Sequence, residues 1–452
     1  MDGLQASIDK MRVEGVGEEA IATFAHYYEQ LREGASGMLP ESEIEPVDDI
    51  TVLDDLPDAD PGVLDAAVVI KLNGGLGTSM GMTRAKSLIE AKDGLTFLDL
   101  IVGQVLGLRE RFGARVPLVL MNSFATRDDS LAALERHPEI AADVPLDFLQ
   151  NKVPKIAADD LQPASWPDDP SLEWAPPGHG DLYTALVTSG MLDELRSQDY
   201  RYAFVSNSDN LGAVLEPRIL SWVAREAIPF VMEVARRTEA DRKGGHIARR
   251  RDNGLVLRET AQTPEEDLEK LQDVGRHRYV NTNNLWVDLE ALRATLDARN
   301  GVLGLPIIVN RKTVDPSDSS SPAVVQLETA MGAAVGVFEG ARALHVSRRR
   351  FAPVKTTSDL LALRSDAYVL RDDSRVELSP EREDPPVIDL DSDYYKLIGD
   401  FEARFPAGAP SLVECERLSV SGDVTFGRGV VVRGAVTVEG PAKIADSAVL
   451  AE

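Results

Sequence analysis

The sequence predicts an α/β protein with a largely parallel sheet, followed by a smaller all-β region at its C-terminal end. Two observations support this prediction. From about residue 65 to 370, apolar runs alternate with helical patterns, as in sheets covered by helices on both faces. Residues 410–450 instead contain short valine-rich runs separated by glycines. With 452 residues, the chain can bury a sizeable core in two or three domains.

The N-terminal segment predicts helices followed by a linker. Apolar residues recur at helical spacing up to about residue 35, where the motif GASG interrupts them. Residues 36–63 are rich in Asp, Glu and Pro and predict an extended connection to the first core strand. We therefore expect residues 1–63 to form an N-terminal helical segment and linker.

The main domain is expected over residues 64–375. Its candidate strands are AAVVIKL (66–72), VPLVLMN (116–122), RYAFVSN (201–207), IPFVMEV (228–234) and NLWVDL (284–289). Its clearest helical patterns are residues 96–113 and 182–198. Ligands of such sheets bind at the carboxyl ends of the strands, so the loops that follow these runs are the candidate site.

A glycine-rich loop follows the first core strand, in the stretch VVIKLNGGLGTSMGMTRAKSLI (68–89). Glycines after a buried strand let the backbone approach a ligand and direct N–H groups at phosphate or base. Lys86 then supplies a flexible positive charge for a phosphoryl oxygen. A Walker loop is excluded because Ala85 precedes Lys86, and a dinucleotide fingerprint is excluded because Met80 occupies its last glycine position.

The composition is strongly acidic. Asp and Glu outnumber Lys and Arg by 75 to 48, a formal net charge of −27. This balance argues against nucleic acid or an anionic membrane as a partner. The single cysteine, Cys415, excludes an intramolecular disulfide. No apolar run approaches the ~20 residues that span a bilayer, and the charged N-terminus lacks a signal core. We expect a soluble, cytoplasmic protein.

The glycine loop resembles the signature L-x-G-G-x-G-T-x-M-G…P-K of the eukaryotic-type UTP–glucose-1-phosphate uridylyltransferases. The matching residues are Leu72, Gly74, Gly75, Gly77, Thr78, Met80, Gly81 and Lys86. One departure is Ala85, where the family usually has proline. Further segments resemble the family in the same order up to about residue 365: PLVLMNSFATRDDS (117–130), FLQNKVPKI (148–156), WAPPGHGDLY (174–183), SNSDNLGA (206–213), EADRKGGHI (239–247), VNTNNLWVDL (280–289), QLETAMGAA (326–334) and FAPVKTTSDLL (351–361).

The resemblance implies a role for each matching residue. It implies catalytic lysines at Lys86 and Lys355, and a Mg²⁺ cofactor on Asp209. The implied nucleotide-binding residues are Leu72, Asn73, Gly74, Gly75, Gly77, Thr78, Gln150, Gly178 and His179. The implied sugar-binding residues are Asp209, Gly244, Gly245, Asn283, Asn284 and Glu328. From the residues alone, His179 could be a loop histidine bonded to backbone, Asp181 could cap the helix that follows it, and Asp209 could equally cap the next helix or turn.

The resemblance also implies the fold. The main domain would be a Rossmann-like nucleotidyltransferase domain with a GT-A-like, mixed but mostly parallel sheet. Residues 376–452 would form a left-handed parallel β-helix domain. The sequence pattern alone also allows an antiparallel meander there. Exposed coil ends of a β-helix can pair with another chain, so a homo-oligomer formed through this domain is possible.

The function implied is UTP + glucose 1-phosphate ⇌ UDP-glucose + pyrophosphate, by direct in-line displacement at the α-phosphorus. A covalent nucleotidyl-histidine route is disfavoured because His137-Pro138 is followed by Glu139 rather than a second histidine. Two alternatives stay open. One is a pyrophosphorylase for N-acetylglucosamine 1-phosphate or for a broad set of sugar phosphates. The other is a non-catalytic nucleotide-sugar sensor, which the presence of Lys86, Asp209 and Lys355 disfavours.

Overall fold

The central sheet dominates the computed structural model, which describes residues 2–251 and 254–451. Eight strands form its main path. In chain order they are β1 (Thr51–Val52), β2 (Ala67–Asn73), β3 (Leu118–Asn122), β4 (Asp147–Leu149), β5 (Tyr202–Asn207), β6 (Phe230–Arg236), β7 (Tyr279–Asp288) and β8 (Arg342–His345). Their order across the sheet is β1-β8-β6-β7-β5-β2-β3-β4.

The sheet is mixed but mostly parallel, as predicted. β7 runs antiparallel to both of its neighbours, β5 and β6, whereas the other neighbours in the path are parallel. The carboxyl ends of β2 and β5 therefore lie side by side, and Asn207 pairs with Leu72. This register brings the glycine loop next to the segment that contains Asp209.

Helices lie between the strands, close to the predicted positions. Their bounds are Gly3–Val13, Glu18–Arg32, Phe97–Phe112, Arg127–Leu134, Leu182–Thr188, Met191–Ser197, Pro217–Glu226, Leu268–Gln272, Leu289–Ala298, Thr357–Arg364, Ser392–Tyr395 and Ile398–Arg404. The helical pattern over residues 182–198 forms two helices in the structure, Leu182–Thr188 and Met191–Ser197, because Gly190 separates them. This glycine has a φ of 76°, a left-handed conformation that ends one helix before the next begins.

The predicted linker also differs from the structure. Within residues 36–63, Ile44–Pro46 pairs antiparallel with strand His246–Arg250, and β1 pairs with β8 at the edge of the sheet. The high content of Asp, Glu and Pro obscured both short strands. β7 is likewise longer than predicted and begins at Tyr279. The prediction missed this start because the residues from Asn281 to Asn284 are polar and resemble a turn.

A branch of the central sheet and several smaller sheets complete the domain. In the branch, strand His246–Arg250 pairs with Leu255–Arg258 and with β7. Ile307–Thr313, Ala323–Thr329 and Ile156–Ala157 form a separate antiparallel sheet. Three antiparallel pairs are Glu90–Lys92 with Leu95–Thr96, Val153–Pro154 with Trp174–Ala175, and Tyr368–Leu370 with Val376–Leu378.

The C-terminal segment consists of parallel ladders. Val387–Leu390, Cys415–Ser421 and Gly434–Glu439 form one; Val424–Phe426 pairs with Ala442–Ile444, and Val431–Val432 with Val449–Leu450. Three ladders share one offset of eighteen residues, since 418 pairs with 436, 425 with 443, and 432 with 450. Parallel pairing excludes the antiparallel meander.

One hydrophobic cluster connects the two regions. It contains Val69 and Phe204 of the sheet, Leu361 of the helix Thr357–Arg364, and Phe405 and Phe426 of the C-terminal segment, all buried. In the part of the chain that the structure describes, no helix has the length and apolar character needed to cross a bilayer.

Candidate nucleotide site

The glycine loop folds over the carboxyl end of β2. Gly77 and Gly81 have φ values of 62° and 73°, in the left-handed region that favours glycine. The Lys86 N–H donates to the Gly75 carbonyl over 3.0 Å, which closes the loop and leaves Gly75 exposed. Ala85, at the position where proline is usual, has a φ of −53°. That value lies within the range that a proline ring imposes, so a proline would fit the backbone φ at this position.

Lys86 is paired with Asp209. Its Nζ donates to Asp209 Oδ2 over 2.7 Å, and the two side chains are 16% and 20% exposed. The other carboxylate oxygen of Asp209, Oδ1, is buried and has no hydrogen-bond partner. A buried, unsatisfied carboxylate oxygen is costly unless a ligand contacts it. Lys86 and Asp209, two site residues predicted from the sequence, are therefore in direct contact in the structure.

Backbone contacts of the two preceding residues hold the segment that contains Lys355 beside Asp209. The Val354 N–H donates to the Asp209 carbonyl over 3.1 Å, and Asn210 forms an isolated bridge with Pro353. The Lys355 side chain is exposed, while its backbone N–H donates to Asp359 Oδ2 over 2.8 Å. Lys86, Asp209 and Lys355, which are far apart in the sequence, thus meet at one end of the sheet.

Gln150 and Gly178 lie on the β4 side of the glycine loop. A Cβ on Gly74 would be 2.5 Å from Gln150 Oε1, so a larger residue there would displace the Gln150 side chain. The Asn151 N–H and side-chain amide donate to Asp181 over 2.6 and 2.9 Å, which ties the loop of Gln150 to the loop of Gly178. Asp181 does not cap the following helix with its side chain.

His179 follows Gly178 in the same loop. Its Nδ1 accepts a hydrogen bond from the Met331 N–H over 3.0 Å, as in a neutral ring that carries its proton on Nε2. The side chain is exposed, yet the surrounding protein lowers the pKa of His179 through desolvation, against the influence of Glu328. Gly178, with a φ of 79°, packs against the Thr329 backbone. The histidine is therefore a neutral donor at the cleft surface.

Two predicted residues are buried beneath the cleft. Asn73 donates to Asn122 and Ser130, each over 2.8 Å, and is 2% exposed. Asn284 is fully buried and donates to Glu233 and to the Arg350 carbonyl. The Asn73 amide therefore stabilises the end of β2 and the Asn284 amide the middle of β7, and neither lines the surface.

The predicted sugar side lies around Gly245. A Cβ on Gly245 would be 2.4 Å from Glu259 Oε2, and the Gly245 carbonyl accepts from the Asn281 N–H over 3.0 Å. Asn283 has a φ of 59° and exchanges hydrogen bonds with Asn281. Of the other predicted residues, Gly244 packs on Val280, Glu328 is 3.4 Å from Lys312, Leu72 is half-buried and Thr78 is exposed.

Sequence reasoning missed Glu259. Desolvation raises the pKa of its carboxyl group, against the influence of the nearby Lys355. No motif surrounds this residue, so the sequence offered no signal for it.

Sequence reasoning also missed Lys71, although a lysine within an otherwise apolar strand was a visible signal. It is buried, donates to Ser206 Oγ and to the Ala213 carbonyl, each over 2.7 Å, and burial lowers its pKa to about 7.

Among the described residues, no group of three or more His, Cys, Asp or Glu side chains could hold a metal ion by itself. Asp209 is therefore the candidate for a cation that takes its remaining ligands from a substrate. The orphaned Oδ1 fits such a cation, because Mg²⁺ usually binds one or two carboxylates together with phosphates and waters.

The chain is similar to known proteins over most of its length. The family model of UTP–glucose-1-phosphate uridylyltransferase matches residues 21–433. The UTP–glucose-1-phosphate uridylyltransferase of Hordeum vulgare is 41% identical over 466 aligned residues, covering 100% of this chain and 95% of the relative. A mutant UDP-glucose pyrophosphorylase from Leishmania major in complex with UDP-glucose is 47% identical, with a TM-score of 0.95 and coverage of 100% and 98%. The Trypanosoma brucei UDP-glucose phosphorylase structure is 44% identical, with a TM-score of 0.91 and coverage of 100% and 99%.

Proposed function

Because the chain belongs to the UTP–glucose-1-phosphate uridylyltransferase family, we propose that it converts UTP and glucose 1-phosphate to UDP-glucose and pyrophosphate. An oxygen of the sugar phosphate forms a bond to the α-phosphorus of UTP, and the bond from that phosphorus to pyrophosphate breaks. The observation that most strongly supports this proposal is the meeting of Lys86, Asp209 and Lys355 at the carboxyl ends of β2 and β5.

The reaction brings anions together, so the protein has to supply position and positive charge. The sugar phosphate is already an anion near neutral pH and needs no general base. In the proposal, Lys86 leaves Asp209 to contact the UTP phosphates, and Lys355 contacts the sugar phosphate and the α-phosphate. Both ammonium groups then offset charge that accumulates during the displacement.

We assign the base side to the glycine loop, Gln150 and Gly178. Gln150 can pair with the uracil edge through its amide. Gly74 packs against Gln150 and Gly178 against the Thr329 backbone, which hold both loops beside the proposed base position. His179 would donate from Nε2 to a nucleotide oxygen, since its Nδ1 is occupied by the Met331 N–H. Leu72, Asn73, Gly75, Gly77 and Thr78 complete the proposed nucleotide-binding set.

The sugar hydroxyls are assigned to the opposite side, around Gly244, Gly245, Asn283 and Glu328. We add Glu259, because its carboxylate lies against Gly245 and near Lys355. Asn284 was predicted for the same role. Because it is buried, we assign it instead to holding β7 against Glu233 and the Arg350 carbonyl.

Magnesium is the proposed cofactor, and Asp209 would hold it through Oδ1. Bound Mg²⁺ would supply neutralisation of phosphoryl charge and would orient the phosphate oxygens. The pairing of Asp209 with Lys86 supports this assignment, since both groups are free to exchange partners when an anion and a cation arrive together.

We propose a left-handed parallel β-helix for residues 376–452, a catalytic domain for 64–375, and an N-terminal segment for 1–63. The shared offset of eighteen residues supports the β-helix, because three successive strands of one coil each pair in parallel with the matching strand of the next coil. A homo-oligomer through the C-terminal coils stays a prediction.

The deciding experiment is pyrophosphate release from UTP and Mg²⁺ with glucose, galactose and N-acetylglucosamine 1-phosphates. We expect a strong preference for glucose 1-phosphate. Comparable rates with all three would identify a broad-specificity pyrophosphorylase. No release by folded protein that still binds UTP would favour the nucleotide-sugar sensor, and trapping of a UMP-labelled enzyme would contradict direct displacement.

A further inference from the structure

A buried ion pair lies directly beneath the proposed site. Glu233 on β6 is fully buried, and its carboxylate accepts two parallel hydrogen bonds from the guanidinium of Arg350, over 2.8 and 2.7 Å. Trp286 Nε1 and Asn284 Nδ2 donate to the same carboxylate over 2.9 and 3.0 Å. Four donors therefore fix the orientation of this carboxylate, and a fork-to-fork contact fixes the guanidinium.

The ion pair anchors one end of a short segment, residues 350–355, which we call the strap. The Arg350 carbonyl accepts from Asn210 Nδ2 over 3.1 Å and from Asn284 Nδ2 over 3.2 Å. The Ala352 N–H donates to Asn210 Oδ1 over 3.1 Å. Asn210, the residue that follows Asp209, thus holds the strap through both the Nδ2 and the Oδ1 of its side-chain amide.

The strap and the segment that follows Asp209 lie as close together as their backbones allow. A Cβ on Gly212 would lie 2.4 Å from the Arg349 carbonyl oxygen, so a larger residue at that position would push the strap away. The Val354 N–H then donates to the Asp209 carbonyl, and Lys355 follows at the end of the strap. The spacing between Asp209 and Lys355 is therefore set by Asn210 and by the Arg350–Glu233 pair.

We propose that Arg350 and Glu233 are positioning residues for uridylyl transfer, which hold Lys355 and Asp209 at the separation that the transition state requires. The inference rests on the proposed function. Glu233 is fully buried and contacts no substrate in this proposal. Its effect is geometric, and a misplacement of about 1 Å can cost ~10²-fold in rate.

The first test compares Arg350→Lys and Glu233→Gln with the wild-type enzyme, using Arg349→Ala as the matched control. Arg349 is exposed and adjacent to Arg350. Lysine keeps the charge but cannot form two parallel bonds, and glutamine keeps the shape but loses the charge. We expect kcat to fall ~10²-fold in both variants while KM for UTP changes by less than about threefold. The melting temperature and the circular dichroism spectrum report folding.

A second test is chemical rescue. Arg350 lines a cavity of about 1140 Å³ whose lining residues include neither Lys86 nor Lys355. Millimolar guanidinium can enter this cavity in Arg350→Ala and occupy the vacated position against Glu233. We expect guanidinium to restore kcat at least ~10-fold, and methylammonium, which lacks the fork, to restore little. Guanidinium should not rescue Lys355→Ala. A residue with a merely structural role would not produce this selectivity.

Several outcomes would contradict the inference. A folded Arg350→Lys with wild-type kcat, a loss confined to KM, or an equal loss in Arg349→Ala would each overturn it while leaving the proposed function intact. If Arg350→Ala does not fold, the Lys and Gln variants decide the question. An inactive wild-type enzyme in the sugar-phosphate assay would remove the proposed function and the inference together.

Discussion

At the scale of single residues, Lys355 offers a clean test of charge neutralisation. Its backbone N–H bonds to Asp359, and Lys355→Ala preserves that bond because it changes the side chain alone. We expect turnover to fall by ~10²-fold or more, since the displacement loses a positive charge beside the reacting phosphates. Initial rates of pyrophosphate release measure the loss. Lys443→Ala, an exposed lysine of the C-terminal segment, is the control. Near-normal turnover by folded Lys355→Ala would refute the role.

Gly178 and Gly75 provide a second comparison. In Gly178→Ala the new Cβ would be 2.5 Å from the Thr329 carbonyl oxygen, at a φ of 79°. We expect this variant to lose about 1–3 kcal/mol of stability through strain, and more through the clash. In Gly75→Ala the Cβ contacts nothing within 4 Å. This variant should keep its melting temperature but bind UTP more weakly.

Calorimetric melting and UTP titration of both variants separate the two effects. An equal drop in melting temperature would show that the glycine loop is packed rather than open. Unchanged UTP affinity of Gly75→Ala would remove the loop from the nucleotide site.

The same residues mark the limit of sequence reasoning at this scale. Lys86, Asp209 and Lys355 were predictable because they follow strands in recognisable motifs. Asn284 belongs to an equally recognisable motif, but its amide is buried against Glu233. Which neighbour an amide faces depends on partners tens of residues away. Glu233 and Arg350 are 117 positions apart, so their pairing had no local signal.

At the scale of elements, Asp181 connects the loop of Asn151 to the start of the helix Leu182–Thr188. Burial raises its pKa from 3.8 to about 6, and the two hydrogen bonds from Asn151 oppose that shift only in part. Because the folded-state pKa lies above the unfolded value, the folded protein binds this proton more tightly. The stabilisation is complete below about pH 4 and is lost as the pH rises through about 6.

The stability of the wild type relative to Asp181→Asn should therefore fall by up to about 3 kcal/mol between pH 4 and pH 7. Denaturant unfolding at several pH values measures the difference. Asp193→Asn, whose side chain is 70% exposed, is the control and should follow the wild type. Parallel profiles for wild type and Asp181→Asn would contradict the assignment.

Elements were predictable where apolar runs were long. β2 and β5 were found within one residue, because each begins with at least four consecutive apolar residues. The strands Ile44–Pro46 and Thr51–Val52 were missed because short edge strands are chosen by their partners more than by their own residues. The break at Gly190 was missed because an isolated glycine does not by itself end a helix.

At the scale of the whole molecule, the sheet domain and the C-terminal ladders share one hydrophobic cluster. Helix Thr357–Arg364, which begins two residues after Lys355, lies between them. Thr357 donates from Oγ1 to the Tyr395 carbonyl over 2.7 Å, and Asp366 accepts from the Leu412 and Val413 N–H groups. The change in composition near residue 376 predicted a boundary between the two regions. It did not predict that they share one hydrophobic core, because that core arises from long-range packing.

That shared helix has a consequence for recombination between relatives. A chimaera with its crossover at residue 376 would combine one parent's helix with another parent's coils, and the mismatch would lie next to Lys355, the lysine proposed to contact phosphate. We therefore expect productive exchange of the tail to require a crossover upstream of the strap, so that Lys355, its helix and the coils are inherited together. On this proposal the tail is inherited with the catalytic apparatus rather than as an interchangeable module.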